Sequence, residues 1–482
     1  MKKVLSFLLL TLILPFALAC QTTSVTTTTS APLSIEEIVN ALDNPFNIGL
    51  FLTSSPTDSM GINFKMTTDT TAFVEYALED SDSFTRIDAT KKTTAVGRKT
   101  AYLFEAEMTL LVPGESYQYR VSNEDGSEVS DLYHFTMANN TTDSFTFMYM
   151  ADPQENAEIG YMAYAYSVLN VLDYSQTDFD FVMSPGDFVD DADIRSEWDW
   201  FFQYSAFFIT SKPLIATIGN HEASGINEAR INQLEFDGYL NFPHNGPTYQ
   251  PFTELAGDLR NSNFDDGKTY SFNYGNAHIL AIDTEVFCDG TTACTAYDQA
   301  NAEILKTWVS NDLANNDMTW TIVLLHRGPY GLSYDSASVR DNLVPIFEEY
   351  GVDLVLSGHD HQYSRTVVKD SVMVPFQEDT NYSRGVVTLF ASQDLNLNFS
   401  NYASSLGVTY LTGNTVSTKF YGGSKSSGLE VTYKFLDENP VIPMITVTAT
   451  SIHVISYGVS KEYALAIVPT GVYILEEFTI TK

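Results

Sequence analysis

The chain has 482 residues, of which 44% are hydrophobic and 13% aromatic, and its formal net charge is −36. These proportions exclude a wholly disordered chain, and the length is sufficient for two or more domains. The acidity argues against nucleic acid as a partner, because a negatively charged surface repels phosphate backbones.

The N-terminus, "MKKVLSFLLLTLILPFALAC", has two lysines followed by a short apolar run. This pattern predicts an export signal over residues 1–19, too short to span a membrane comfortably. Two outcomes remain open: cleavage that releases a secreted protein, or lipidation of Cys20, which resembles a bacterial lipoprotein. Lipidation is favoured, because Cys288 and Cys294 in "CDGTTAC" lie close enough to pair and would leave Cys20 as an odd thiol. We therefore expect attachment to the outer face of the cell membrane.

Residues 20–46 begin with a Thr/Ser-rich tract that lacks hydrophobic periodicity and is typical of a flexible tether. Residues 47–138 show period-two alternation, for example Tyr117, Tyr119 and Val121 on one face of a strand. Several such runs predict an all-β sandwich. The stretch "LVPGESY" resembles the tyrosine corner of fibronectin type III sandwiches.

From residue 143 to residue 482 the pattern changes to apolar runs that alternate with helical patterns. Helices are predicted around residues 159–172, 197–208, 298–313 and 339–350. This alternation predicts a layered α/β domain built on a largely central sheet.

Polar residues that can bind metals follow five of the predicted strands. These are Asp152, Asp187, Asn220 with His221 and Glu222, His326, and His359 with His361. The carboxyl ends of strands in an α/β sheet converge, so we expect these side chains to meet. Mixed carboxylate, amide and imidazole groups at one edge predict a site for two metal ions about 3.5–4 Å apart.

The motifs "DPQ", "GD", "GNHE", a lone histidine and "GHDH" resemble the calcineurin-like metallophosphoesterases. Together with the sandwich, they resemble the purple acid phosphatase branch from about residue 47 to the C-terminus. This resemblance implies an all-β sandwich followed by a four-layer α/β/β/α catalytic domain. It also implies hydrolysis of small-molecule phosphate esters by a metal-bound hydroxide.

The resemblance supplies a role for each ligand. Asp187 is expected to bridge two ions (Fe, Mn or Zn). One ion would be completed by Asp152 and His361, and the other by Asn220, His326 and His359. Gln154 stands where the wider family has a histidine, and it is either a further ligand or a hydrogen-bond partner. His221 is expected to protonate the leaving alkoxide, and Glu222 to orient or charge its ring.

One position departs from the purple acid phosphatases. Their iron-binding tyrosine, which gives the colour, is replaced here by Asp190. We therefore predict no purple absorption band, and we expect Asp190 to be the N-cap of the next helix. Arg327 and Tyr330 are expected either to touch substrate phosphate or to shape a turn, and Tyr363 and Arg365 to anchor the last histidine loop.

The favoured function is hydrolysis of phosphate monoesters, as in acid phosphatases. A phosphodiesterase or nucleotidase on the same site is the first alternative, because specificity lies in the surrounding loops. A non-catalytic surface binding lipoprotein is a second alternative. It predicts that metal ligands are lost, whereas every core ligand named above is present.

Overall fold

The computed structural model describes residues 44–92, 102–140, 144–224, 233–250, 267–287, 296–374, 400–421, 433–435, 438–461 and 471–482. The predicted export signal, Cys20 and the Cys288–Cys294 pair lie outside these residues. Within the described ranges, no helix combines the length and the apolar character needed to cross a membrane.

The strands are, in chain order, β1 Gly49–Leu52, β2 Met60–Met66, β3 Ala72–Leu78, β4 Thr85–Asp88, β5 Thr90–Lys91, β6 Tyr102–Met108, β7 Ser116–Asn123, β8 Tyr133–Thr136, β9 Ser144–Tyr149, β10 Phe181–Ser184, β11 Leu214–Ala216, β12 Tyr270–Tyr274, β13 Ala277–Ile282, β14 Trp320–Arg327, β15 Leu354–Gly358, β16 Tyr363–Lys369, β17 Val372–Met373, β18 Asn401–Ala403, β19 Val408–Thr412, β20 Tyr433–Phe435, β21 Val441–Thr448, β22 Ser451–Val459 and β23 Val472–Thr481.

The helices are α1 Glu158–Ser175, α2 Arg195–Tyr204, α3 Ala206–Ile209, α4 Asn220–Ser224, α5 Gln233–Tyr239, α6 Ala296–Ala314 and α7 Ala337–Glu349. The helix predicted over residues 197–208 is thus two helices that meet at Ser205. The other three predicted helices agree with α1, α6 and α7.

The strands form three sheets. The first has the order β18-β23-β22-β21-β9-β10-β11-β1-β2-β6-β5. The second has the order β12-β13-β14-β15-β19-β16-β17, with β20 also paired to β16. The third, β4-β3-β7-β8, is the outer sheet of the sandwich. In the first sheet β9, β10 and β11 are parallel, and in the second so are β13, β14, β15 and β19.

The first two sheets pack face to face, as the alternation along β13 shows. Ile279 and Ala281 join the core between the two sheets, whereas Leu280 and Ile282 pack outward with residues of α6 and α7. Residues of α1 and α2 cover the first sheet within the larger core. The predicted α/β/β/α layering is confirmed, and it places the carboxyl ends of two parallel strand sets beside one another.

The N-terminal sandwich also folds as predicted. Tyr117, Tyr119 and Val121 of β7 are buried against Ile62 of β2 in a separate core. The hydroxyl of Tyr117 accepts a hydrogen bond from the backbone N–H of Val112 at 2.9 Å, which is the geometry of a tyrosine corner.

The sandwich is not an independent unit, however. Its inner strands continue the first sheet through a parallel pair between Phe51 of β1 and Leu214 of β11. Phe51, Leu52 and Leu103 also belong to the catalytic core. Alternating hydrophobicity shows which face of a strand is buried, but it does not identify the neighbour along the edge, so this continuity was not predicted.

Candidate metal centre

The six predicted core ligands meet where the carboxyl ends of the two central sheets face each other. Three oxygen ligands follow strands of the first sheet: Asp152 after β9, Asp187 after β10 and Asn220 after β11. Three imidazoles come from the second sheet: His326 near the end of β14, and His359 and His361 after β15. The site therefore joins a carboxylate-rich edge to an imidazole-rich one.

Two groups of donors lie at this junction. Asp187, His326 and His359 form one, and Asp152, Asp187 and His361 form the other. Within each group the candidate ligand atoms lie within 4.8 Å of one another. Asp187 belongs to both groups, and this is the arrangement that a bridging carboxylate requires.

Unsatisfied buried atoms show that these groups fit cations. Among the described residues, Oδ2 of Asp152 and Nε2 of His361 are buried without a hydrogen-bond partner. Nδ1 of His361 lies against the carbonyl of Lys419, and Nδ1 of His326 is 3.1 Å from the carbonyl of Pro185. An Nδ1–H that donates to a carbonyl leaves Nε2 as the ligand atom, as is usual for metal-binding histidines.

The backbone at the site is strained. Asp152, Asp187, His359 and His361 have φ values of +48°, +55°, +67° and +50°. Side-chain-bearing residues rarely adopt this left-handed region, and such strain clusters at functional sites.

Two glycines make room for the carboxylates. A Cβ at Gly219 would lie 2.1 Å from Oδ1 of Asp187, and a Cβ at Gly358 would lie 2.5 Å from Oδ2 of Asp152. These contacts explain why glycine precedes both Asn220 and His359.

Burial and the close approach of opposite charges shift the pKa values of the site. Burial alone would lower the pKa of His326, but Asp187 and Asp152 outweigh it and raise that pKa to about 9. Burial would raise the pKa of Asp187, but His326 and His221 hold it well below its usual value. Burial raises the pKa of Asp152 to about 7. The imidazole of His326 and the carboxylate of Asp187 thus stabilise each other's charged forms.

Asn220 and Gln154 lie beside the two clusters. Oδ1 of Asn220 is 2.9 Å from Nε2 of His326. With its amide nitrogen turned inward, Gln154 donates to Oδ2 of Asp187 at 3.0 Å, and its oxygen accepts from Nε2 of His221 at 3.2 Å. This position favours the hydrogen-bonding role of Gln154 over the ligand role.

The prediction that Glu222 orients His221 is wrong. The buried Glu222 carboxylate accepts hydrogen bonds from the backbone N–H groups of Asp187, Phe188 and Gly219 at 2.8, 2.6 and 3.0 Å. It therefore holds the loop that carries Asp187.

His221 is instead oriented by Asp190. Nδ1 of His221 lies 2.6 Å from the Asp190 carbonyl and 3.5 Å from its carboxylate. The N-cap prediction for Asp190 is also wrong, because α2 begins at Arg195 with Ile194 as its N-cap. Asp190 is held in place by the ammonium of Lys419, which pairs with its carboxylate.

Arg327 and Tyr330 differ in their position relative to the site. Arg327 lies at the site, with Nη1 3.1 Å from Nε2 of His359, while Glu285 holds its guanidinium through two contacts of 2.6 and 3.0 Å. Tyr330 is buried against Tyr410, with ring centroids 4.8 Å apart, and so has the structural role.

The sequence did not identify two residues that follow β19 and lie at the site, Lys419 and Tyr421. The ring of Tyr421 stacks on that of His361, with centroids 4.2 Å apart. Both residues lie several positions beyond β19, so a search for polar residues directly after strands does not find them. The stretch "GNTVSTKFY", which contains Lys419 and Tyr421, carries no metal-binding motif of its own.

The chain is similar to known proteins in sequence and in fold. Residues 145–363 match the calcineurin-like phosphoesterase family, and residues 45–137 match the purple acid phosphatase N-terminal domain. An acid phosphatase of Aspergillus ficuum is 28% identical over 226 residues, 36% of each chain. An uncharacterized protein of Mycobacterium tuberculosis is 26% identical over 187 residues, 36% of this chain and 31% of the other. The matches thus span about a third of these relatives.

A solved purple acid phosphatase from yellow lupin (Lupinus luteus) seeds has the same fold. It superposes with a TM-score of 0.65 at 17% identity, over 91% of this chain and 75% of the other. This chain therefore carries a calcineurin-like metallophosphoesterase domain preceded by a purple acid phosphatase N-terminal domain.

Proposed function

We propose that this protein is a metal-dependent phosphatase that hydrolyses small phosphate monoesters. The observation that carries the proposal is the pair of donor groups that share Asp187, one completed by Asp152 and His361 and the other by His326 and His359. The acid phosphatases among its relatives support monoesters as substrates.

Two metal ions held by these residues would supply an activated water molecule and would polarise a phosphoryl oxygen. The protein contributes the remaining groups. Arg327, fixed by Glu285, presents guanidinium N–H donors beside His359, where they can bind phosphate oxygens.

His221 is placed to hold the proton that the leaving alkoxide needs. Its Nδ1 is against the Asp190 carbonyl, so Nε2 faces Gln154 and Asp187 at the centre. A positioned imidazole of this kind contributes about 10²–10⁴-fold to proton transfer.

The proposal is tested with purified protein loaded in turn with Fe, Mn and Zn. Metal content is measured by elemental analysis, and turnover is compared for mono- and bis-nitrophenyl phosphate. We expect two ions per chain and a clear preference for the monoester. Preference for the diester would favour the phosphodiesterase alternative. Two bound ions with no hydrolysis of any ester would favour the binding lipoprotein.

We also propose that the protein is exported and is anchored at the outer face of the cell membrane through lipidated Cys20. The support is the lysine-led apolar N-terminus ending in "ALAC". In the native host, Cys20→Ala is expected to move the protein from the membrane fraction to the soluble exported fraction. An unchanged membrane fraction in this variant would exclude the lipid anchor.

A further inference from the structure

Two tyrosine rings border the metal centre. Tyr334 lies 5.6 Å from the ring of His359, and Tyr421 stacks on His361. The two tyrosine rings are 5.3 Å apart at an interplanar angle of 67°. Tyr334 is 41% exposed, although it belongs to a loop that is otherwise largely buried. One side of the centre is therefore an aromatic corner, open to solvent at Tyr334.

The histidine motif itself holds this corner in place. The buried Asp360 carboxylate accepts hydrogen bonds from the backbone N–H groups of Ser333 and Tyr334, both at 2.8 Å. Nε2 of Gln362 donates to the hydroxyl of Ser333 at 2.7 Å and to the carbonyl of Tyr421 at 3.2 Å. Residues that alternate with the histidines in "HDHQ" thus fix both tyrosine-bearing segments.

A rigid, solvent-facing aromatic ring beside a polar centre is suited to bind a flat ring. Stacking requires little reorganisation when the protein ring is already fixed, and it does not depend on charge, so the acidic surface of this chain does not oppose it. Because the ring of Tyr334 contacts the ring of His359, a group joined to the reacting phosphate by a few bonds can reach Tyr334.

We propose that Tyr334 and Tyr421 form a subsite for the alcohol part of the substrate, and that the preferred substrates are phosphate monoesters whose alcohol carries a flat ring, such as a nucleobase. This inference rests on the proposed phosphatase function. Stacking of one base on an aromatic side chain strengthens binding by about five- to a hundredfold. The subsite is expected to act mainly on KM.

The experiment compares adenosine 5′-monophosphate with ribose 5-phosphate on the metal-loaded enzyme. In both esters the leaving oxygen is the primary 5-oxygen of a ribose, so the ratio of their kcat/KM values reports the contribution of the base. We expect a ratio of about ten or more for the unmodified enzyme. Tyr334→Leu is expected to bring the ratio close to one, and Tyr334→Phe, which keeps the ring, to preserve it.

The matched control is Tyr174→Leu. Tyr174 is also an exposed tyrosine, 46% accessible, but it lies near the end of α1 on the approach to the start of β10, opposite the metal centre. Its replacement is expected to leave the ratio unchanged. Binding is measured separately by titrating the enzyme with a non-hydrolysable phosphonate analogue of each ester.

The outcomes separate the two proposals. If metal-loaded protein hydrolysed neither of these esters nor mono-nitrophenyl phosphate, the phosphatase function would be overturned. Equal kcat/KM for both esters in the unmodified enzyme would overturn the aromatic subsite alone. If Tyr334→Leu and Tyr334→Phe lowered the ratio equally, the aromatic subsite would also be overturned, because the aromatic ring of residue 334 would then not be what binds the base.

Discussion

Two buried polar clusters lie next to each other along the chain, one at His359 and His361 and the other at Tyr363 and Arg365. In the first, the backbone is left-handed at both histidines, and Nε2 of His361 has no hydrogen-bond partner among the described residues. In the second, both side chains extend from a regular strand, β16, toward Glu476.

In the second cluster, the charged groups are paired with each other. Arg365 donates to one Glu476 oxygen at 2.6 and 3.0 Å, and the Tyr363 hydroxyl donates to the other at 2.7 Å. The Arg365 guanidinium also lies 3.9 Å from the ring centroid of Phe478. These residues join β16, the strand that follows His361, to β23 across the two central sheets. Their role as anchors of the last histidine loop stays a prediction.

The difference shows how to distinguish a binding site from a structural ion pair. In a structural cluster, the polar atoms form hydrogen bonds with one another. In a metal site, ligand atoms lack hydrogen-bond partners, and the backbone that carries them is strained. Mutations should therefore separate the two: changes in the first cluster should abolish activity, and changes in the second should reduce stability.

The largest expected effect is that of Asp187→Asn. Asparagine retains the shape but removes the charge shared by both donor groups, so kcat/KM should fall by at least about a thousandfold. Steady-state kinetics and metal analysis measure this loss. Turnover within tenfold of the unmodified enzyme would exclude the bridging role.

Arg365→Met should act on stability instead. It leaves Glu476 buried without its charge partner, which should reduce the free energy of unfolding by about 3–5 kcal/mol, measured by urea denaturation. The double variant Arg365→Met with Glu476→Leu should recover most of the loss. Loss of kcat without loss of stability in Arg365→Met would contradict a purely structural role for Arg365.

His221→Ala should reduce kcat about a hundredfold for esters with poor leaving groups and much less for nitrophenyl phosphate, because only a poor leaving group needs the proton. The matched control is His453→Ala, since His453 is a half-exposed histidine paired with Glu477 at 3.0 Å. Equal losses for both classes of ester would exclude proton donation by His221.

Metal affinity should rise with pH. A folded-state pKa of about 9 keeps His326 protonated below that pH, so an ion must displace its proton, and affinity should increase about tenfold per pH unit from pH 7 toward 9. Below pH 7 the raised pKa of Asp152 adds a second competing proton. Calorimetric Mn²⁺ titrations in buffers of different ionisation enthalpy at pH 6, 7 and 8 measure the released protons. A pH-independent affinity would contradict this coupling.

The smallest expected effect is spectroscopic. Because Asp190 replaces the tyrosine of purple acid phosphatases, the iron-loaded protein should lack an intense visible tyrosinate band. If a band appears, Tyr421→Phe identifies whether the ring stacked on His361 is its source.

The sequence predicted the site best where residues that can bind metals follow the carboxyl ends of strands. Polar residues at strand ends predicted that Asp152 and Asp187 lie at one sheet edge and the histidines at another, because parallel strands of one sheet end at one edge. The meeting of these two edges depends on the face-to-face packing of the two sheets. The roles of Glu222 and Asp190 could not be predicted. The role of Glu222 depends on which face of its helix points inward. The role of Asp190 depends on the loop that continues to Ile194 before α2 begins at Arg195.

The pairing of β1 with β11 has a practical consequence for work on the isolated catalytic region. A protein shortened to begin near residue 144 would keep β11 but leave one of its sides unpaired, a few residues before Asn220. Exposed edge strands pair with strands of other chains, so such a fragment should self-associate through β11, next to the metal ligands.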